Sequence, residues 1–215
     1  DYVLACAAAG KPVYVEKPMA LDHGECAEMV AACQAANVPL FVAYYRRALP
    51  RFLKVKELIE SGAIGEVRYV TVLLTQRPAP DDIDPLNVPW RVLPEFSGGG
   101  RFVDMGVHTL DFLDFVLGPI RSATGHVANT AGYYPAEDTV TASFQFESGI
   151  LGAGAWNFTG HTDRDVCEIA GSLGKVSFSS FDAEPIVLET AGGRQELPIP
   201  NPAHVQQPLI QTVVD

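Results

Sequence analysis

The apolar positions fall into two patterns. Near the start of the chain they come in short, unbroken runs. Later they alternate with polar residues. "DYVLACAAA" (1–9) predicts a helix that stops at Gly10, a natural residue for the turn beyond a helix C-terminus. "PVYV" (12–15) and "PLFVAY" (39–44) are too short for helices and show no alternation, so they read as strands covered on both faces. Between them, Asp22 is placed to cap a helix over 23–36, with Glu25 at the third helical position of a capping box. The order α-β-α-β predicts a parallel sheet covered by helices.

Beyond Pro50 the pattern changes. "RFLKVKELIESG" (51–62) is amphipathic, with Phe52, Val55, Leu58 and Ile59 on one face. "EVRYVTVLLTQ" (66–76) predicts a long strand. Residues 77–96 contain five prolines, Pro78, Pro80, Pro85, Pro89 and Pro94, and predict a long surface loop around Trp90. Gly98, Gly99 and Gly100 lead into a helix near 106–117. Three hairpins follow: 139–158 about a Glu-Ser-Gly turn, 163–180 about Ser172–Gly174, and 185–199 about Gly192–Gly193. The expected architecture is α/β plus α+β. Residues 1–46 are a C-terminal remnant of a Rossmann-type parallel sheet. Residues 47–215 form a largely antiparallel, open-faced sheet domain with helices on one side.

Charge narrows the functional classes. The 215 residues contain 15 Lys and Arg against 26 Asp and Glu, a net charge of −11, which disfavours nucleic acid and anionic membrane as partners. The apolar runs are too short to span a bilayer. Cys6, Cys26, Cys33 and Cys167 lack metal-finger spacing and read as reduced thiols of a cytoplasmic protein, with Cys26 and Cys33 packing on one helix face. Both ends of the sequence read as cuts through helices.

Two stretches could carry chemistry. Lys17 lies just past the 12–15 strand, where open parallel sheets bind ligands, and Pro18 holds it extended. A lysine in an ordinary surface loop fits the same residues. In "GGGRFVDMGVHTLDFLDFVLG" (98–118), Asp104 and His108 are four apart at the start of a helix and can project from one side. A histidine beside a carboxylate suits proton transfer near neutral pH. A helix-capping Asp104 and a packing His108 fit equally well. No ligand spacing supports a metal site.

Together these stretches resemble the Gfo/Idh/MocA oxidoreductases, the NAD(P)-dependent sugar and polyol dehydrogenases. "AGKPVYVEKPMALD" is similar to the family's AGKHVxxEKPxA segment, "YYRRALPRFLKVKELIESGAIGEV" (44–67) to its interdomain link, and "GGGRFVDMGVHTLD" to its GGGxLxDxGxHxxD helix. The resemblance implies hydride transfer between NAD or NADP and a hydroxyl or keto carbon of a sugar, cyclitol or related polyhydroxy substrate. It implies Lys17, His108 and Asp104 as catalytic residues, with Asp104 orienting substrate or histidine. Glu16, Lys17, Pro18 and Arg46 would approach the cofactor, and Tyr45, Trp90 and Arg91 the substrate. It further implies a cis Lys17–Pro18 peptide and a homo-oligomer formed through the open sheet, where the apolar face of 139–158 would pack on a second subunit. The family's GxGxxG turn is absent from this sequence and would lie upstream of Asp1. The competing reading is a non-catalytic nucleotide- or sugar-binding regulator on the same fold.

Overall fold

The computed structural model describes residues 1–84 and 86–215; Pro85 of the proline-rich loop lies outside the described residues. Strands β1 (Val13–Val15) and β2 (Leu40–Val42) run parallel, with Val13 opposite Leu40 and Val15 opposite Val42. Helices α1 (Tyr2–Ala8) and α2 (His23–Ala35) accompany them, and Val3, Ala7, Met29 and Cys33 form the buried cluster of this unit. Gly10 ends α1 at φ +67°. Its amide donates to the Ala7 carbonyl and that of Lys11 to Cys6, the paired bonds that close a helix with a left-handed residue. Asp22 caps α2 by accepting from the Glu25 amide at 2.9 Å. Glu25 reaches back to the Leu21 amide at 3.1 Å, one residue ahead of the cap, so the expected capping box is offset by one position.

The larger unit begins with α3 (Pro50–Glu60), where Pro50 occupies a first-turn position that needs no amide hydrogen. Next come β3 (Val67–Thr75), the short α4 (Pro94–Ser97), α5 (Val107–Leu117), β4 (Ile120–Ala128), β5 (Thr139–Phe146), β6 (Leu151–Asn157), β7 (Arg164–Gly171), β8 (Gly174–Phe178), β9 (Ile186–Thr190), β10 (Gly193–Leu197) and α6 (Gln207–Val214). Eight strands form one sheet in the order β10-β9-β8-β7-β3-β6-β5-β4. All neighbours are antiparallel except one interior pair, β3 with β6. The three expected hairpins are β5/β6, β7/β8 and β9/β10.

The two faces of the sheet differ in a way that corrects one expectation. Val140, Phe144, Phe146 and Trp156, the alternating apolar residues of 139–158, are buried against Phe52 of α3 and Phe112, Leu113 and Leu117 of α5. They are core and are not available to a second subunit. The opposite face carries Thr71, Thr124, Thr141, Ser143 and Ala153 between the exposed Tyr69 and Leu151. The loop at 77–96 contains short helical pieces among its described residues. It holds single helical turns at Pro80–Ile83 and Trp90–Val92, followed by α4. Asp82, on the first of these turns, is buried and paired with Arg101. Among the described residues, no helix is long and apolar enough to cross a membrane.

Candidate active site

Lys17 leaves the end of β1 through a cis Lys17–Pro18 peptide. Its ammonium donates to Asp104 Oδ1 at 2.6 Å and to the Asp104 backbone carbonyl at 2.8 Å. The two side chains are 14% and 24% exposed, so the pair stands half-shielded where the two units meet. An ammonium has three donors. Two are committed to Asp104, which fixes the position of the third.

Asp104 belongs to a π-helical turn, Phe102–Gly106, that precedes α5. Closing such a turn takes one residue more than in an α-helix, which removes the i,i+4 alignment expected for Asp104 and His108. Asp104 therefore pairs with Lys17, and no Asp104–His108 bond forms among the described residues. Glycine is required nearby. A Cβ on Gly106 would lie 2.6 Å from the Phe102 ring. Gly98, at φ +76°, passes so close to the other unit that a Cβ there would sit 2.5 Å from the Leu21 carbonyl oxygen.

His108 occupies a different environment. It is 4% exposed, set edge-on to Tyr45 at 5.2 Å and to Phe181 at 6.1 Å between ring centroids, and its Nδ1 has no hydrogen-bond partner. Burial, reinforced by the positive charges of Arg46 and Lys17, pushes its pKa down to about 2. The imidazole is neutral. Arg46 lies behind it, 5% exposed, with its guanidinium 4.5 Å from the Phe181 centroid and 5.0 Å from that of Tyr45. Arg46 Nε donates to the Ser180 carbonyl at 2.9 Å, and Nη1 is unpartnered.

The sequence-derived residues thus fall into two groups. Glu16, Lys17, Pro18 and Trp90 line a cleft of about 410 Å³, together with Met29 and Phe96. Asp104 and Arg91 adjoin it: Arg91 Nε lies 3.5 Å from Asp104 Oδ2, and its guanidinium stacks 4.6 Å from the Trp90 centroid. Tyr45, His108 and Arg46 form the second group. Arg46, expected beside the cofactor, does not line the cleft, because the aromatic rings and Ser180 hold it inside the sheet domain. Asp111 pairs with Arg47 at 2.5 Å and joins neither group. Sequence reading missed Gln206, whose side-chain amide donates to Glu16 Oε1 at 2.9 Å. It also missed the Asp82–Arg101 pair. Neither residue set carries a local pattern that would have marked it.

A parallel α/β unit with a lysine at the carboxyl end of β1, joined to an open sheet, is the architecture of a Rossmann-type nucleotide-binding protein with a second domain. Residues 1–44 match the oxidoreductase family with an NAD-binding Rossmann fold, and residues 52–177 match the GFO/IDH/MocA C-terminal domain. The chain belongs to the Gfo/Idh/MocA oxidoreductase family. It is 36% identical, over its whole length and 66% of the relative, to oxidoreductase P35 of Formosa agariphila. Over 90% of its length it is 29% identical to the myo-inositol 2-dehydrogenase of Thermotoga maritima, covering 57% of that protein. Among solved structures, levoglucosan dehydrogenase in complex with NADH and levoglucosan superposes with a TM-score of 0.82 at 23% identity, over 99% of this chain and 65% of the other. The chain therefore spans less than two thirds of the length of these relatives. The residues present suit a nicotinamide: apolar Pro18, Met29 and Phe96 line the cleft together with Lys17 and would offer a surface for a planar ring.

Proposed function

We propose that the protein is a nicotinamide-dependent dehydrogenase or reductase of sugars, cyclitols or related polyhydroxy compounds. Lys17, held by Asp104, handles the proton. Glu16, Lys17 and Pro18 would hold the cofactor, which when bound supplies the hydride acceptor or donor. The carrying observation is the Lys17 ammonium, with two donors fixed on Asp104 and one left for a substrate oxygen. His108 is buried and neutral, and the proton is assigned to Lys17, which lines the cleft. Trp90, Arg91 and Tyr45 would approach the substrate. The proposed assembly is a homo-oligomer formed through the threonine- and alanine-rich face, where Tyr69, Leu151 and Ser143 border a groove of about 400 Å³.

The test is NADH or NADPH formation by the intact protein with a panel of hexoses, pentitols and inositols. Turnover of any one of them supports the reading. Binding of NADH and sugar without turnover across the panel would favour a non-catalytic sensor.

A further inference from the structure

Resting on the dehydrogenase reading, we propose that the substrate carries a carboxylate, making it a sugar acid and not a neutral polyol, and that Arg91 is the group that reads it. Three observations support this. First, the Arg91 guanidinium is only loosely engaged. Among the described residues its one ionic contact is Nε to Asp104 Oδ2 at 3.5 Å, and its side chain is 47% exposed. Among the described residues no hydrogen bond uses its terminal nitrogens, so the planar fork that matches a carboxylate in two parallel bonds is free. Second, this fork is held in place. The guanidinium stacks on Trp90. The loop that bears both residues is tied down by Asp82, whose carboxylate accepts from Arg101 Nε at 3.0 Å and Nη2 at 2.5 Å. Arg101 stands three residues before Asp104, so one ion pair joins the Arg91 loop to the turn that holds the Lys17 partner. A pre-positioned fork binds an oxyanion with less ordering cost than a mobile surface arginine does.

Third, the charge at this end of the cleft is unbalanced. Lys17 and Arg91 both reach the single carboxylate of Asp104, inside a chain whose net charge is −11. The other carboxylates lining the cleft are Asp1, Glu16, Glu25 and Glu28, of which Glu16 is bonded by Gln206 and Glu25 by the Leu21 amide. Because Lys17 and Arg91 share Asp104, a substrate oxygen at Lys17 places an attached carboxylate within the field of Arg91. A neutral hexose would leave the fork unused.

The test uses the intact protein with hexuronates, each beside its neutral hexose, such as glucuronate with glucose and galacturonate with galactose. Both turnover and direct calorimetric binding are measured. The expected result is tighter binding of one acid over its neutral partner. In Arg91→Met the acid-to-neutral ratio of kcat/KM, or of binding constants, should fall by about tenfold to a hundredfold, the range for a charged hydrogen-bonded pair. Arg91→Lys should recover part of that ratio by restoring charge without the fork. An unchanged ratio, or a preference for neutral sugars with good turnover, overturns the proposal and leaves the dehydrogenase reading standing. Acid binding that depends on Arg91 without turnover upholds the proposal and fails that reading. If the loss in Arg91→Met appears in the NADH dissociation constant and not in sugar-acid binding, the guanidinium serves a cofactor phosphate and the proposal falls.

Discussion

The two units of the chain are built to very different depths. The sheet domain closes over twenty-one buried apolar residues, including Phe52, Phe112, Phe144 and Trp156. The α/β unit closes over four, Val3, Ala7, Met29 and Cys33. Hydrophobic stabilisation scales with apolar area removed from water, so among the described residues the sheet domain is the more deeply packed platform. The contacts of the α/β unit with this platform include Lys17 on Asp104, Glu16 and Tyr14 with Gln206, and the Gly98 backbone against Leu21. The candidate active site sits on this junction. Asp104, His108 and Arg46 are mounted on the sheet domain, while Lys17 is presented by the α/β unit.

That contrast can be broken most severely in the platform. Phe112→Ala empties a fully buried position edge-on to Phe52 and Phe178 and should cost about 3–5 kcal/mol in urea unfolding. Asp82→Ala strands the Arg101 guanidinium in a largely buried pair and should cost about 3 kcal/mol; it should also raise KM by releasing the Trp90–Arg91 loop. Next in size is a pH effect. Folded His108 stays neutral down to about pH 2, whereas the unfolded imidazole takes up a proton below its ordinary pKa near 6.5. The unfolded state therefore binds more protons between those values, and stability falls as pH falls. From pH 7 to pH 5 the loss should be about 2 kcal/mol. His108→Gln should flatten that part of the pH profile.

The smallest of these effects sharpens the comparison most. Gly98→Ala imposes a left-handed conformation on alanine and presses its Cβ against Leu21, at a cost of about 1–2 kcal/mol. Because the strain falls on the junction, hydrogen exchange should quicken in β1 and β2 and stay unchanged in β3 and β6. Equal loss of protection in both units would show that they are one cooperative body.

Much of this was legible in the sequence because local pattern carried it. Asp22 and Glu25 announced α2, the turn glycines announced three hairpins, and Glu16-Lys17-Pro18 marked the end of β1. β4 escaped notice because Arg121–Ala128 is an edge strand exposed on both faces, which leaves no apolar alternation to read. The parallel β3–β6 pairing escaped because hairpin logic joins only neighbours in sequence. In the site, Lys17, Asp104 and His108 were legible as residues, but their partnership was not. Lys17 and Asp104 are 87 positions apart, and the π turn that directs Asp104 toward Lys17 and away from His108 has no signature in "RFVDMG". The fate of Arg46 was equally hidden, since its aromatic cage draws Phe181 from the far end of the sheet.

The most direct test of the central claim is the rate of hydride transfer in Lys17→Met, measured by stopped-flow NADH absorbance in the intact protein beside His108→Gln. If Lys17 handles the proton, its loss should lower kcat by about 10²–10⁴-fold, and His108→Gln should cost far less. A Lys17→Met enzyme that keeps its rate to within a few-fold, while His108→Gln loses it, would contradict the account and return the proton to the histidine.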